Sequence, residues 1–168
     1  MNNVNAIDFK NRIRMRKKEI KKIEEGIKSY LGIEYNFPSL NVEKIPIKED
    51  ISLILIDNKV SFIEKGNFYL FSLSKLLENP IYKKYIAVDE GAIIPISDGA
   101  DVMGKGIAEC DESIKENDLV WVMDIKYKRP IAIAYAIKNG NEMKSRPAGK
   151  CAILIYHVGD AIWKFEKK

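Results

Sequence analysis

The sequence predicts an α+β protein built from two small domains, residues 1–83 and residues 84–168. Near the start, apolar residues recur at helical spacing. Short stretches that alternate between apolar and polar residues follow, separated by turn residues. The second half is again dominated by short apolar stretches, which predicts a mainly β domain. With 168 residues, 46% of them hydrophobic, the chain is long enough for two packed cores.

The first predicted element is an amphipathic helix from Arg12 to Leu31, ended by Gly32. Its apolar stripe repeats at helical steps and comprises Ile13, Ile20, Ile23, Ile27 and Leu31. Residues 10–28 hold 9 basic and 3 acidic residues, which predicts either a patch that binds a polyanion or an ordinary solvated face. The basic members of this helix are Arg12, Arg14, Arg16, Lys17, Lys18, Lys21 and Lys22. Before it, the alternation of Val4, Ile7 and Phe9 allows an edge strand.

A small antiparallel sheet is predicted after this helix. Asp57-Asn58-Lys59 and Gly66-Asn67 have the composition of hairpin turns, since Asp, Asn and Gly tolerate left-handed backbone. Ser72 is placed to cap a short helix, Leu73–Glu78, that Asn79-Pro80 ends. The predicted strands cover residues 42–47, 52–57, 60–64 and 68–71.

The second half is organised around the stretch VDEGAIIPISDGADVMGKGI, residues 88–107, which holds four glycines. This pattern predicts a strand end, a short helix and then an open glycine loop, whose exposed backbone N–H groups would hold phosphate. Gly99 to Lys105 matches the start of a P-loop, but the next residue, Gly106, lacks the hydroxyl that ligates magnesium. The remaining predicted barrel segments are residues 107–110, 119–124, 130–137, 151–157 and 161–165, with a polar excursion at 138–150.

The segments VDEGAI, SDGADVMGKGI and YHVGDAIWKF resemble the PUA domain, named for pseudouridine synthases and archaeosine transglycosylases. The resemblance implies a pseudo-barrel that binds structured RNA through the short helix, the glycine loop and the last long strand. Many members carry a proline where this chain has Lys105, which adds a cation to the loop.

The resemblance extends over nearly the whole chain. A basic helix, a meander ending in FYLFSLSKLLENP and then a PUA domain resemble the archaeal relatives of the malignant-T-cell-amplified-sequence family, which carry a pre-PUA domain. Members commonly have a proline-threonine pair where Phe71-Ser72 stands. This likeness implies a translation-associated protein that binds tRNA or rRNA. The eukaryotic relatives act with a partner protein on the small ribosomal subunit.

The charge distribution supports an RNA-binding face, because residues 126–150 hold 7 basic residues and 1 acidic residue. RNA recognition needs cations for phosphates and flat side chains for bases, and Tyr127, Tyr156 and Trp163 are candidates for the second role. The predicted RNA-binding residues are Ser97, Gly99, Ala100, Met103, Gly104, Lys105, Gly106, Lys126, Lys128, Arg129, Arg146, Lys150, Tyr156 and His157.

Catalytic and metal-binding patterns are weak in this sequence. His157 is the single histidine; it could pair with Asp160, but no serine or cysteine completes a triad. Cys110 and Cys151 are isolated, which predicts buried apolar side chains and no zinc site. We therefore expect no enzyme activity, cofactor or metal, and a cytoplasmic location. Two alternatives remain: a module that docks a translation factor through residues 1–83, and an RNA-modifying enzyme or its accessory subunit.

Overall fold

The structure is a computed structural model that describes residues 7–168. Two compact units are present, one ending at Phe71 and one comprising Ser72–Lys168. The domain boundary between residues 83 and 84 stays a prediction. Within the edge strand considered for the amino terminus, Val4 lies outside the described residues, and Ile7 and Phe9 belong to no strand.

The first unit is an antiparallel sheet with one long helix. Within the described residues its strands follow one another in the order β1-β2-β3-β4-β5, so each strand pairs with its neighbour in sequence. The elements are β1 (Ile13–Arg14), α1 (Lys17–Leu31), β2 (Val42–Lys48), β3 (Ile51–Ile56), β4 (Lys59–Lys65) and β5 (Phe68–Phe71). The four predicted strands of this half are confirmed within one residue at each end. Asp57 and Asn58 have the predicted positive φ, 49° and 71°.

Helix α1 begins at Lys17, and the prediction that it starts at Arg12 is wrong. Ile13 pairs instead with Lys44 of β2, where its side chain is 48% exposed. An extended residue at position 16 separates strand from helix. The rest of the apolar stripe is confirmed: Ile20, Ile23, Ile27 and Leu31 are buried, and Gly32 ends the helix with a left-handed φ of 67°.

The second unit contains a six-stranded sheet in the order β7-β11-β10-β9-β6-β8. β6 is parallel to β9, and the other pairs are antiparallel. The elements are α2 (Leu73–Glu78), β6 (Tyr85–Val88), α3 (Glu90–Ser97), β7 (Val102–Met103), β8 (Ile107–Cys110), β9 (Leu119–Asp124), β10 (Pro130–Ala136), α4 (Gly140–Lys144), β11 (Lys150–His157) and α5 (Ala161–Glu166). A single 3-10 turn, Gly104–Gly106, joins β7 to β8.

The mixed helices and sheets confirm an α+β fold, with a mainly β second unit. One segment differs: residues 161–165, predicted as a closing strand, form α5. The Asp160 carboxylate accepts the Trp163 amide at 2.9 Å and so caps a helix.

Cys110 and Cys151 lie in the core as free thiols, as predicted, and burial raises the pKa of both. No helix within residues 7–168 is long and apolar enough to cross a membrane.

Candidate nucleic-acid interface

The end of β6 brings two loops to opposite sides of α3. The Asp89 amide donates to the Gly106 carbonyl at 2.9 Å, which places the glycine loop (Asp98–Gly106) beside the helix. The Ile125 amide donates to the Val88 carbonyl at 2.9 Å, which places the β9–β10 turn (Ile125–Arg129) at the same strand end. Most of the predicted RNA-binding residues therefore lie around α3.

A cavity of about 310 Å³ lies between α3 and the glycine loop, and we call it the loop groove. Four of the predicted residues line it: Ala100, Met103, Lys105 and Gly106. The Lys105 side chain is exposed and belongs to no ion pair among the residues that the structure describes. The predicted loop thus forms one wall of an open groove with a cation at its edge.

The backbone N–H groups of the loop are less available than predicted. The amides of Gly99 and Ala100 donate to the Ile96 and Pro95 carbonyls at 3.0 and 2.9 Å. The Gly104 amide donates to the Gly149 carbonyl at 2.9 Å, and Gly104 itself is buried. The prediction that these three amides hold phosphate is therefore wrong, because each is already used within the protein. An anion at the loop would therefore be met mainly by side chains such as Lys105.

Two predicted cations are neutralised by carboxylates of the loop region. Arg146 lies 3.1 Å from Asp89 and also donates to the Lys105 carbonyl. Lys150 lies 3.0 Å from Asp101. Asp101 also accepts the Leu154 amide at 2.9 Å, which ties the loop to β11. Arg146 and Lys150 therefore contribute to the conformation of the loop through these contacts. An RNA phosphate would have to compete with a carboxylate to bind either side chain.

The β9–β10 turn carries three more of the predicted RNA-binding cations. Lys126, Lys128 and Arg129 are exposed, and no ion pair is found for them within residues 7–168. The nearest carboxylate in sequence is Asp124, which is 4% exposed and accepts the backbone amides of Tyr127 and Arg129. The turn therefore carries three exposed positive charges against the single negative charge of the buried Asp124.

The last three predicted residues are Tyr156 and His157, at the end of β11, and Ser97, at the end of α3. His157 approaches the loop: its Nε2 atom is 3.6 Å from where a Cβ on Gly99 would stand. Ser97 is half-buried at the end of α3. Tyr156 is 1% exposed; its hydroxyl accepts the Leu73 amide and donates to Glu166, both at 2.8 Å. The prediction that Tyr156 contacts RNA is therefore wrong, because its side chain belongs to the core. This burial raises its pKa well above the ordinary value.

The geometry gives His157 and Asp160 structural roles. Asp160 accepts the His157 backbone amide at 3.0 Å and caps α5, while the ring nitrogen Nε2 stays 4.0 Å from its carboxylate. The ring nitrogen Nδ1 lies 2.9 Å from the Val158 carbonyl. No group of three potential metal ligands occurs within residues 7–168. These contacts hold the end of β11 and the start of α5 in place.

Sequence reasoning missed several side chains of this surface. Ile94 in the middle of α3 is 72% exposed, although it belongs to an apolar run of the sequence. Asp124 ended a buried strand in the sequence pattern, and only the structure shows that it organises the following turn. The signal that was available is the composition IKYKR at residues 125–129, an aromatic between cations.

The first unit carries its own basic surface, on α1 and the residues just before it. Lys17, Lys18, Lys21 and Lys22 are exposed on the face of α1 away from its buried stripe. Arg14 and Arg16 are also exposed, whereas Arg12 is half-buried and lies 3.3 Å from Glu43. The role of this patch in RNA binding stays a prediction.

Comparisons with known proteins agree with this fold. Residues 84–158 match the PUA domain family. An uncharacterized protein of Methanocaldococcus jannaschii is 35% identical over 161 residues, covering 95% of this chain and 99% of that protein. The crystal structure of a hypothetical protein from Pyrococcus horikoshii is 32% identical, with a TM-score of 0.78 over 91% of this chain and 98% of that one. A conserved PUA domain protein from Thermoplasma acidophilum is 28% identical, with a TM-score of 0.69 over 92% and 98%.

A eukaryotic relative matches over a shorter length. Translation machinery-associated protein 20 of Saccharomyces cerevisiae is 28% identical over 130 residues, covering 74% of this chain and 72% of the yeast protein. The fold and the loop surface define a PUA-domain protein with an amino-terminal pre-PUA domain. The chain belongs to the archaeal PUA-domain family of the M. jannaschii protein, related to the malignant-T-cell-amplified-sequence proteins.

Proposed function

We propose that this protein is a non-enzymatic RNA-binding protein of the translation apparatus, acting in the cytoplasm on structured RNA such as tRNA or rRNA. The observation that carries the proposal is the surface around α3. An open groove of about 310 Å³ and four exposed cations without ion pairs in the described chain lie at one end of the sheet: Lys105, Lys126, Lys128 and Arg129. A polyanion is the ligand that such a surface favours.

The family supports RNA as the polyanion, and the name of the yeast relative supports the translation context. We then expect the protein to act together with the small ribosomal subunit and a translation-factor partner. Phosphates would meet the side chains of the loop and turn, since the amides of Gly99, Ala100 and Gly104 are engaged. The exposed lysines of α1 would add a second contact area.

The test is RNA binding at two salt concentrations, using unfractionated tRNA and rRNA fragments as probes. Lys105→Glu is expected to weaken binding at low salt about tenfold or more, because a charge-assisted contact is worth about 1.5–3 kcal/mol. It should also lower the slope of log K against log salt by about 1.

Lys115→Glu is the matched control. Lys115 is exposed and lies beyond the other end of β8, away from the loop. Its reversal changes the net charge equally and is expected to alter affinity much less. Equal weakening in both variants would mean that net charge alone matters, and an unchanged affinity for Lys105→Glu would exclude the loop as the site.

A further inference from the structure

The β9–β10 turn holds an exposed aromatic ring beside a cavity on the other side of α3. This cavity of about 260 Å³, which we call the turn pocket, is lined by Glu90, Ile93, Asp124, Ile125, Lys126 and Tyr127. Its volume is below the roughly 300–1,000 Å³ of pockets for drug-sized ligands, so it suits a single flat group. Tyr127 is 65% exposed, which is unusual for an aromatic side chain without a partner surface.

The turn is held rigid beneath this ring. Three consecutive amides, of Tyr127, Lys128 and Arg129, all donate to Asp124, the last two at 2.9 and 3.1 Å. The Asp124 amide returns a hydrogen bond to the Arg129 carbonyl at 3.2 Å. A turn with this many internal bonds presents its side chains in a fixed arrangement. The ring therefore needs little ordering to accept a ligand.

Two cations lie over the Tyr127 ring, which nevertheless stays 65% exposed. The Lys126 ammonium lies 5.2 Å and the Arg129 guanidinium 5.5 Å from the Tyr127 ring centroid. Neither forms an ion pair among the described residues. A largely exposed ring, with two cations that form no ion pair in the described part of the chain, matches a nucleotide, whose base stacks while its phosphates meet the cations.

We infer that Tyr127 is a stacking platform for one unpaired base of the bound RNA, seated in the turn pocket with its phosphates on Lys126 and Arg129. This inference rests on the proposed function, and it gives Tyr127 a role in recognising single-stranded RNA. The exposed Glu90 carboxylate forms the opposite wall, where it can accept a hydrogen bond from a base amino group. Adenine and cytosine therefore fit the pocket better than uracil.

The experiment uses a single-stranded RNA carrying one 2-aminopurine, whose fluorescence falls when the base stacks. Wild type and Tyr127→Phe are expected to quench it, and Tyr127→Ala is not. Alanine should weaken binding by about 5- to 150-fold, since stacking on an aromatic is worth about 1–3 kcal/mol per base. The salt slope should stay unchanged, because no cation is removed. Tyr127 is exposed, so none of these variants should unfold the protein.

Three outcomes would overturn the inference. If wild type binds no RNA, the proposed function and the inference fall together. If wild type binds RNA but Tyr127→Ala binds and quenches equally, only the stacking role falls. If a poly-glutamate peptide binds with the same dependence on Tyr127, the surface recognises acidic protein instead of bases. A fully paired duplex is the matched probe, and with it the Tyr127 dependence should disappear.

Discussion

The Arg146 guanidinium lies 3.1 Å from the Asp89 carboxylate, so a cation expected to meet RNA is already neutralised by the residue that precedes α3. Arg146 also donates to the Lys105 carbonyl, which holds the glycine loop against α3. Both side chains are substantially exposed, so the pair itself is worth little in stability, on the order of 0–1 kcal/mol. The main effect of this ion pair is to reduce the positive charge that the surface presents to RNA.

Asp89→Asn is expected to strengthen RNA binding several-fold at low salt. The substitution removes the internal counter-charge of Arg146 and leaves the guanidinium for phosphate. Glu116→Gln removes the same charge from an exposed site between β8 and β9, away from the loop, and controls for long-range electrostatics. Filter binding or fluorescence anisotropy measures both. Equal gains would show that release of Arg146 contributes nothing.

Gly104→Ala is expected to destabilise the protein by about 1–3 kcal/mol, since an overpacked site forces its surroundings to move. A Cβ at position 104 would stand 2.0 Å from the Pro147 carbonyl oxygen, which is backbone and cannot rotate away. Gly91→Ala is the matched variant, because its Cβ would meet nothing closer than 3.7 Å. Within helix α3 it should stabilise by about 0.5–1 kcal/mol. Denaturant unfolding of both variants decides; similar effects would contradict the packing argument.

Asp118→Asn is expected to destabilise by about 1.5–3 kcal/mol, because it removes a charged hydrogen-bond partner from a largely buried ammonium. The Lys84 ammonium lies 2.7 Å from Asp118, and both side chains are largely buried, at 12% and 5% exposure. Glu112→Gln breaks the exposed pair with Lys144 and should cost at most about 1 kcal/mol. Urea unfolding measures the difference, and comparable destabilisation would mean that burial of the Lys84 pair is unimportant.

Asp111→Asn is expected to lower stability at neutral pH and to lose this effect in acid. Burial alone would raise the Asp111 pKa, but hydrogen bonds from the Lys84 and Ser113 amides, at 2.6 and 2.9 Å, outweigh it and lower the pKa below 3.8. A carboxylate with a depressed pKa stabilises the fold above its unfolded pKa, and that contribution is lost as pH falls through the folded pKa. The difference between wild type and variant, followed by unfolding from pH 7 to pH 3, should therefore narrow below about pH 4. A constant difference would contradict the assignment.

Replacing Lys17, Lys18, Lys21 and Lys22 together by glutamine tests the basic helix. All four are exposed on α1, so stability should change by less than about 1 kcal/mol. If the helix binds RNA, the salt slope should fall by about 0.7–0.9 for each phosphate that the helix no longer neutralises. Glutamine at the exposed Lys48 and Lys59 of the same unit, compared with glutamine at Lys21 and Lys22 alone, is the control at equal net charge. An unchanged slope in the fourfold variant would leave α1 as a solvated face.

Much of the fold could be predicted because its signals are local. The stripe of Ile20, Ile23 and Ile27 specifies α1, and the hairpin at Asp57-Asn58 specifies the register of β3 with β4. The start of α1 could not be predicted in this way. Ile13 continues the helical spacing, yet pairing with β2 takes it into a strand, and that partner lies far along the chain.

The candidate site was predicted by residue type and missed in its details. Lys105, Lys126 and Arg129 lie on the expected surface because the strand ends bring their loops together. Tyr156 looked like a base-binding aromatic, but β11 turns its side chain inward to meet Glu166. The occupied amide of Gly104 was also invisible in the sequence, since its acceptor, Gly149, comes from a distant segment. Pairing over long separations decides these features.

The internal hydrogen bonds of the glycine loop have a consequence for the kinetics of recognition. With the amides of Gly99, Ala100 and Gly104 bonded before any ligand arrives, the loop has little conformational entropy left to lose. Association then requires no folding step, and its rate is governed by diffusion and by the attraction between the cations and the approaching polyanion. The association rate of a polyanion with this surface should therefore fall steeply as the salt concentration rises.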